Sequence, residues 1–403
     1  MIKLNYIKIK SLIICALVIL NGGYALSLGN QTQIMLLTAL FVICDLLISK
    51  EKLKLSKSAL LFLVLVILQF VLSIVVNHDV SGVGEYIRLM VVYIFCFYIY
   101  TLYNTKDIIQ GFCNFMCFIS LVSLAFFVWV SIFPSSAFRV VNGYGTTYLT
   151  CYLSFVNLSA YNRNCGIFWE PSVFAAVCFI WGIFEICIIR NVRKRLFRIS
   201  IMMLAIVSTF STSGYVYLLF LFVVLLFVNN SKSYSLFKII IAGALLAMGV
   251  LVYFNYDQIL IKLVDWLPIV FKKLLVNNSS VTDRTIGPWA DMYVAARHPF
   301  GVGITLLTPT VKRVAYEVLG TIIHTRTSTI TYYCSAFGLM SGAILMISLF
   351  GFAKKATKSI FLMVVLLSGM VFMSISAPMH DSAIFILLLF LGTQRNNIES
   401  RTY

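Results

Sequence analysis

The chain is laid out as a succession of continuously apolar runs, each close to the ~20 residues that carry a helix across a bilayer. A soluble domain has about 25% charged residues. This chain has 11%, against 61% apolar residues. The runs lack the period-two alternation of a membrane barrel, so the spanning elements are expected to be helices. The expected fold class is therefore all-α: a polytopic integral membrane protein forming one transmembrane domain over residues 1–403, with the lipid bilayer as its first partner.

The expected spans are Ser11–Leu28, Gln33–Ser49, Ser58–Val76, Tyr86–Tyr103, Gly111–Phe133 and Pro171–Ile189, then Leu196–Val228. That last run is too long for one helix. It is interrupted by Ser208-Thr-Phe-Ser-Thr-Ser-Gly214, and reads as two short helices meeting at a polar elbow. Leu236–Phe254, Thr327–Phe350, Ile360–Ser376 and Ala383–Gly392 complete about twelve spans. The N-terminal run reads as a retained signal-anchor helix, because no clear small-residue cleavage site follows it.

Charge tests this order. The formal net charge of +17 invites a nucleic-acid partner. The dense basic clusters, including Arg190, Arg193, Lys194, Arg195 and Arg198, fall instead in loops of one side, which marks that side as cytoplasmic. Nucleic acid is therefore not an expected partner, and both termini are expected in the cytoplasm. Two sizeable loops remain outside, 134–170 and 256–326. The first holds Gly143-Tyr-Gly145 and should turn there. In the second, Ile259, Leu260, Leu263, Val264 and Leu267 share one face of Tyr256–Val276, which reads with Trp266 as a helix lying in the interface. Most of the ten cysteines sit in apolar runs as small hydrophobes. Cys151 and Cys165 share an outer loop where pairing is open to them but not required. No CxxC motif signals zinc.

Chemistry-bearing residues gather at the outer span mouths. Arg163-Asn-Cys-Gly166 leads into Glu170-Pro171. Pro171 suits a first helical turn and Glu170 the positive end of a helix dipole. Arg163, beside a glycine, is suited to a bidentate phosphate grip, although arginines at span ends also snorkel. Asp283 reads as the N-cap of an outer helix. Arg284 in its first turn opposes the dipole and calls for an anionic partner, either Asp283 or Asp291 or an external ligand. His324, before a span with Arg326, is either an interfacial histidine or a proton-transfer group. His380-Asp381 opens the last span, as a functional pair or as a cap through Asp381. Ser211, Thr212 and Ser213 offer hydroxyls at the elbow. Cations converging on one side imply an anionic lipid, and a lipid pyrophosphate fits.

The ordered set Arg163-x-x-Gly166 through Glu170-Pro171, the Ser/Thr break at 208–214, Arg284…Trp289…Pro299-x-Gly-x-Gly303 and His324 before a span resembles the O-antigen polymerase and O-antigen ligase superfamily, over roughly Arg163 to the C-terminus. The resemblance implies a bacterial inner-membrane glycosyltransferase. It would move a glycan from undecaprenyl diphosphate at the periplasmic face, with no metal or other cofactor, and with a chain-length regulator as a possible partner protein. Arg163 and Arg284 would bind the diphosphate. His324 or Glu170 would act as the base, and Ser211, Thr212, Ser213, Arg326 and His380 would line the cavity. Two departures point to the polymerase branch: Ser-Thr-Ser-Gly where many relatives have Ser-Arg, and Thr rather than Asn after His324. The rivals are a ligase passing polymer to a lipid A core and a lipid-linked oligosaccharide flippase.

Overall fold

The computed structural model describes residues 2–27, 30–48, 53, 55–143, 145–158, 162–188, 192–228, 279–324, 326 and 328–393. The helices are α1 (Ile2–Leu20), α2 (Gln31–Ile48), α3 (Lys57–Asn77), α4 (Val83–Leu102), α5 (Thr105–Ile132), α6 (Pro171–Cys187), α7 (Val192–Ser208) and α8 (Thr212–Val228). They continue as α9 (Ser279–Arg297), α10 (Ile304–Leu319), α11 (Ile330–Phe337), α12 (Leu339–Ala356), α13 (Ile360–Ser376) and α14 (Ala383–Gly392). Among the described residues α2, α3, α4, α5 and α12 are long and apolar enough to cross a membrane, while α6, α8, α13 and α14 are shorter apolar helices. Leu47 on α2 and Val75 on α3 are more than 60% exposed, amid other exposed leucines and valines of the same helices. So large an apolar surface marks a membrane or partner contact rather than a water-facing wall.

α6 is the axis of the core. All of its residues from Pro171 to Ile186 are buried, the environment expected for a helix that is apolar all round. It packs on α5, α7, α8, α13 and the sheet described next.

The expectation of an all-α chain is corrected in the loop between α5 and α6. Residues 138–166 form a four-stranded antiparallel meander: β1 (Phe138–Val141), β2 (Thr147–Thr150), β3 (Phe155–Leu158) and β4 (Asn162–Gly166). The expected turn falls at the β1–β2 hairpin, where Gly145 has φ 77° and donates its N–H to Asn142 O at 2.9 Å. Strands of four or five residues pair only with their sequence neighbours. Their Val, Thr, Tyr and Phe content favours sheet but does not stand out from an apolar background. On β4, Asn164 fastens the sheet to the bundle by donating to Ser123 Oγ on α5 and Ser208 Oγ at the end of α7.

A second correction concerns Thr327–Phe350, expected as one span. It breaks at Gly338 (φ 96°) into α11 and α12. The break is a packing requirement. A Cβ on Gly338 would lie 2.5 Å from Pro299 O, and one on Gly301 (φ 82°) would lie 2.3 Å from Ala336 O. The Gly301-Val-Gly303 turn docks there, with Val302 and Gly303 N–H groups donating to Ser335 O and Ala336 O. A third correction concerns α9: the helix already runs from Ser279, so Asp283 lies within it rather than at its N-cap. The elbow stands as expected, with α7 ending at Ser208, α8 starting at Thr212 and Phe210 at φ 45°. The expected span Leu236–Phe254 and interfacial helix Tyr256–Val276 lie outside the described residues.

Candidate anion site at the helical elbow

At one end of the bundle the N-termini of α6 and α8 converge on β4. Backbone N–H groups and helix dipoles make such a place favourable for an anion. Pro171 occupies the first turn of α6 and Glu170 is its N-cap residue, in extended backbone (φ −137°, ψ 139°). The carboxylate makes no capping bond. It accepts instead from Arg284 Nη2 at 2.8 Å. Arg284 reaches in from α9 and also donates through Nη1 to Ser213 Oγ at 3.4 Å, while its Nε is buried without a partner. Ser213 Oγ lies 2.9 Å from Ser211 Oγ, so the elbow hydroxyls form one chain with the guanidinium. Thr212, beside them, is half-buried.

Arg163 enters the same site from β4. Its Nε donates to Thr209 O at 3.1 Å and its Nη2 to Phe210 O at 3.3 Å. These carbonyls are available because the helix is broken there. Burial pulls the Arg163 guanidinium below its ordinary range. Cys165 and Glu170 counter the shift and Arg284 adds to it. Two arginines remote in sequence therefore repel one another across one mouth, with a single carboxylate between them. That surplus of one positive charge favours an anionic ligand.

The other sequence-predicted residues divide. His324 is exposed; its main-chain N–H donates to Asp283 Oδ1 at 2.8 Å, one residue from Arg284. Arg326 and His380 are not in this site. They belong to a second cluster two turns further along α9, built on Asp291. Arg326 Nη2 donates to Asp291 Oδ1 at 2.6 Å, and Ser328 and Thr331 hydroxyls donate to Asp291 Oδ2 at 2.8 Å each. The Arg326 guanidinium also lies 4.8 Å from the Tyr332 ring centroid, and the His380 ring stacks on Tyr332 at 4.3 Å. Asp381 does not cap α14. It pairs with Arg88 of α4 at 2.9 Å, and Arg88 also holds Glu85. Arg88 was not singled out from sequence, although a lone arginine inside an apolar run was a signal; Asp291 was weighed only as a partner for Arg284, and it holds Arg326 instead.

This second cluster sets a pH dependence. Burial pushes the His380 ring below its ordinary 6.5. For Asp381, burial pulls upward, but His380 and Arg88 prevail and hold the carboxyl below its usual value. In the unfolded chain His380 would take a proton below about pH 6.5, which the folded state resists, so the folded state binds fewer protons and loses stability as pH falls. Asp381 adds a second loss below about pH 4. The thermal midpoint of the detergent-solubilised protein should therefore drop between pH 7.5 and 5.5, and His380→Phe should flatten that drop. An unchanged drop in the variant would assign it to other groups.

Cys151 and Cys165 are both free thiols, one exposed and one buried. Two buried carboxylates are paired with cations: Asp45 with Lys10 at 2.8 Å, and Glu185 with Arg198 at 3.0 Å. Among the described residues no His/Cys/Asp/Glu group is arranged to hold a metal ion. The chain is thus a mostly helical protein with helices of membrane-crossing length and a cationic site at a helical break. Compared with models of protein families, with curated proteins and with solved structures, it has no match.

Proposed function

We propose that the chain is a polysaccharide polymerase of the bacterial inner membrane. It would transfer a glycan from undecaprenyl diphosphate onto a new lipid-linked repeat unit at the periplasmic face. In this reading the chain crosses the membrane about twelve times with both termini cytoplasmic, and loops 134–170 and 256–326 are periplasmic. One observation carries the reading: Arg163 and Arg284, from two separate loops, share a site with Glu170 and the Ser211–Ser213 elbow.

The chemistry follows from that charge. A sugar hydroxyl of the incoming unit attacks the anomeric carbon of the donor glycan. The bond from that carbon to the phosphate oxygen breaks, and undecaprenyl diphosphate departs with the electron pair. Negative charge grows on the leaving oxygen in the transition state, where prearranged cations act most strongly. Arg163 and Arg284 supply those cations, and Arg284 Nε has a buried N–H still to satisfy. The hydroxyl proton passes to a base. Glu170 is engaged by Arg284, which favours His324 for that step. The paired state of Asp45 and Glu185 supports an enzyme over a flippase, because neither is an unpaired charge awaiting cargo.

The test is reconstitution. Purified protein supplied with lipid-linked repeats and excess EDTA should form lipid-linked dimers and longer chains while releasing undecaprenyl diphosphate. Single repeats alone, or product only after a divalent metal is restored, would overturn the reading.

A further inference from the structure

A small polar cavity of about 30 Å³ lies against the segment just before Glu170. Its wall includes Asn21 at the end of α1, Gln31 at the start of α2, Arg88 of α4, Asp381 and Trp169. The α1–α2 connection is held against it: Trp169 N–H donates to Gly23 O at 3.1 Å, and Tyr148 OH donates to Trp169 O at 2.5 Å. Trp169 and Glu170 are successive residues, and Glu170 is extended. The indole lines the cavity while the carboxylate holds Arg284.

The polar groups on this wall retain bonding capacity. Asn21 commits its amide N–H groups to Leu17 O and Thr38 Oγ1, leaving its carbonyl oxygen as an acceptor. Arg88 commits Nε to Glu85 and Nη1 to Asp381 Oδ2, leaving Nη2 as a donor. The Gln31 amide makes no hydrogen bond to any described residue, although the side chain is half-buried. A volume of this size accepts about two waters, or the atoms of one hydroxymethyl group or two neighbouring hydroxyls, but not a whole sugar ring. A ring seated outside it would rest its apolar face on the indole, an aromatic surface with a polar edge.

We propose that this cavity is a saccharide-recognition subsite: it receives hydroxyl substituents of the glycan whose diphosphate is held by Arg163 and Arg284. The identity of the ligand rests on the glycosyl-transfer reading above. Sugar preference would then be set by Gln31, Arg88, Asp381 and Trp169 rather than by the arginines that grip the diphosphate.

Two probes separate the two ideas. The first is the saccharide released by mild acid from the lipid-linked fraction of the native cells, followed by saturation-transfer NMR on the full-length protein. The second is farnesyl diphosphate, which carries the anion and no sugar. Gln31→Trp, which fills the cavity, should weaken saccharide binding by at least about tenfold and leave farnesyl diphosphate binding unchanged. Gln31→Ala should weaken saccharide binding less, and it serves if the bulky variant fails to fold. Absence of saccharide binding in the wild type, or equal binding in both variants, overturns the subsite. Farnesyl diphosphate binding that is indifferent to Arg163→Ala would overturn the diphosphate reading instead, whatever the saccharide does.

Discussion

Arg284→Ala is expected to reduce chain elongation by about 10²–10³-fold, the usual cost of removing one donor aimed at a developing oxyanion. Lipid-linked single repeats should accumulate in cells carrying the variant. Arg284 bridges Glu170 and Ser213, so its loss also leaves the Glu170 carboxylate without its cation. Arg284→Lys separates the contributions. It keeps the charge but cannot reach two partners with one planar fork, so it should restore part of the activity and most of the stability. Arg163→Ala should act in the same direction. Arg163 also grips the carbonyls of Thr209 and Phe210, so its thermal midpoint should fall further than that of Arg284→Ala. Polymer of normal length and amount in either alanine variant would remove the arginine pair from the mechanism.

Asp291→Ala is expected to be strongly destabilising. Its side chain is 2% exposed and accepts from Arg326, Ser328 and Thr331. Removing it strands a largely buried guanidinium, at a cost of about 3–5 kcal/mol. Replacing both members with apolar residues, as in Asp291→Leu with Arg326→Met, should recover much of the loss because no charge is then left unpaired. Thermal unfolding in detergent, monitored by size-exclusion fluorescence, reads both. A single variant as stable as wild type, or a double variant worse than the single, would mean that Asp291 does not organise this cluster.

The two results bear on one helix. α9 carries Arg284 and Asp291 seven residues apart, two turns of helix, and so on nearly the same face. It joins the anion site to the cluster that fastens α11 and the His380 loop. Reading Arg284 as a cation in need of an anionic partner rests on a first-turn position that the structure does not give it, because the helix already runs from Ser279; Glu170 is its partner within the chain all the same. The alternatives weighed, Asp283 and Asp291, are both engaged elsewhere: Asp283 accepts the His324 main-chain N–H, and Asp291 holds Arg326.

Arg326 and His380 show the limit of reading sites from span mouths. Their types and positions resemble those of the arginine site, but they pack on Tyr332 and form a different cluster. Arg88 shows the converse. It lies in an apolar run, where its role depends on Asp381, nearly 300 residues away in sequence, so no local pattern identifies the pair. The four-stranded meander was obscured for another reason. Each strand is short, and its period-two pattern is submerged in a composition chosen for lipid.

The repeated apolar runs determined by themselves that this chain is built from helices of membrane-crossing length, because hydrophobic length is a one-dimensional property that no folding partner alters. The elbow at 208–214 and the start of α6 at Pro171 were legible for the same reason: polar breaks and proline act locally on the backbone. Tertiary structure alone decided which charges meet. Glu170 rather than Asp283 or Asp291 holds Arg284, and Asp381 rather than a helix end receives Arg88. Burial makes an unpaired charge costly and so enforces pairing, but the choice of partner depends on how helices distant in sequence pack together.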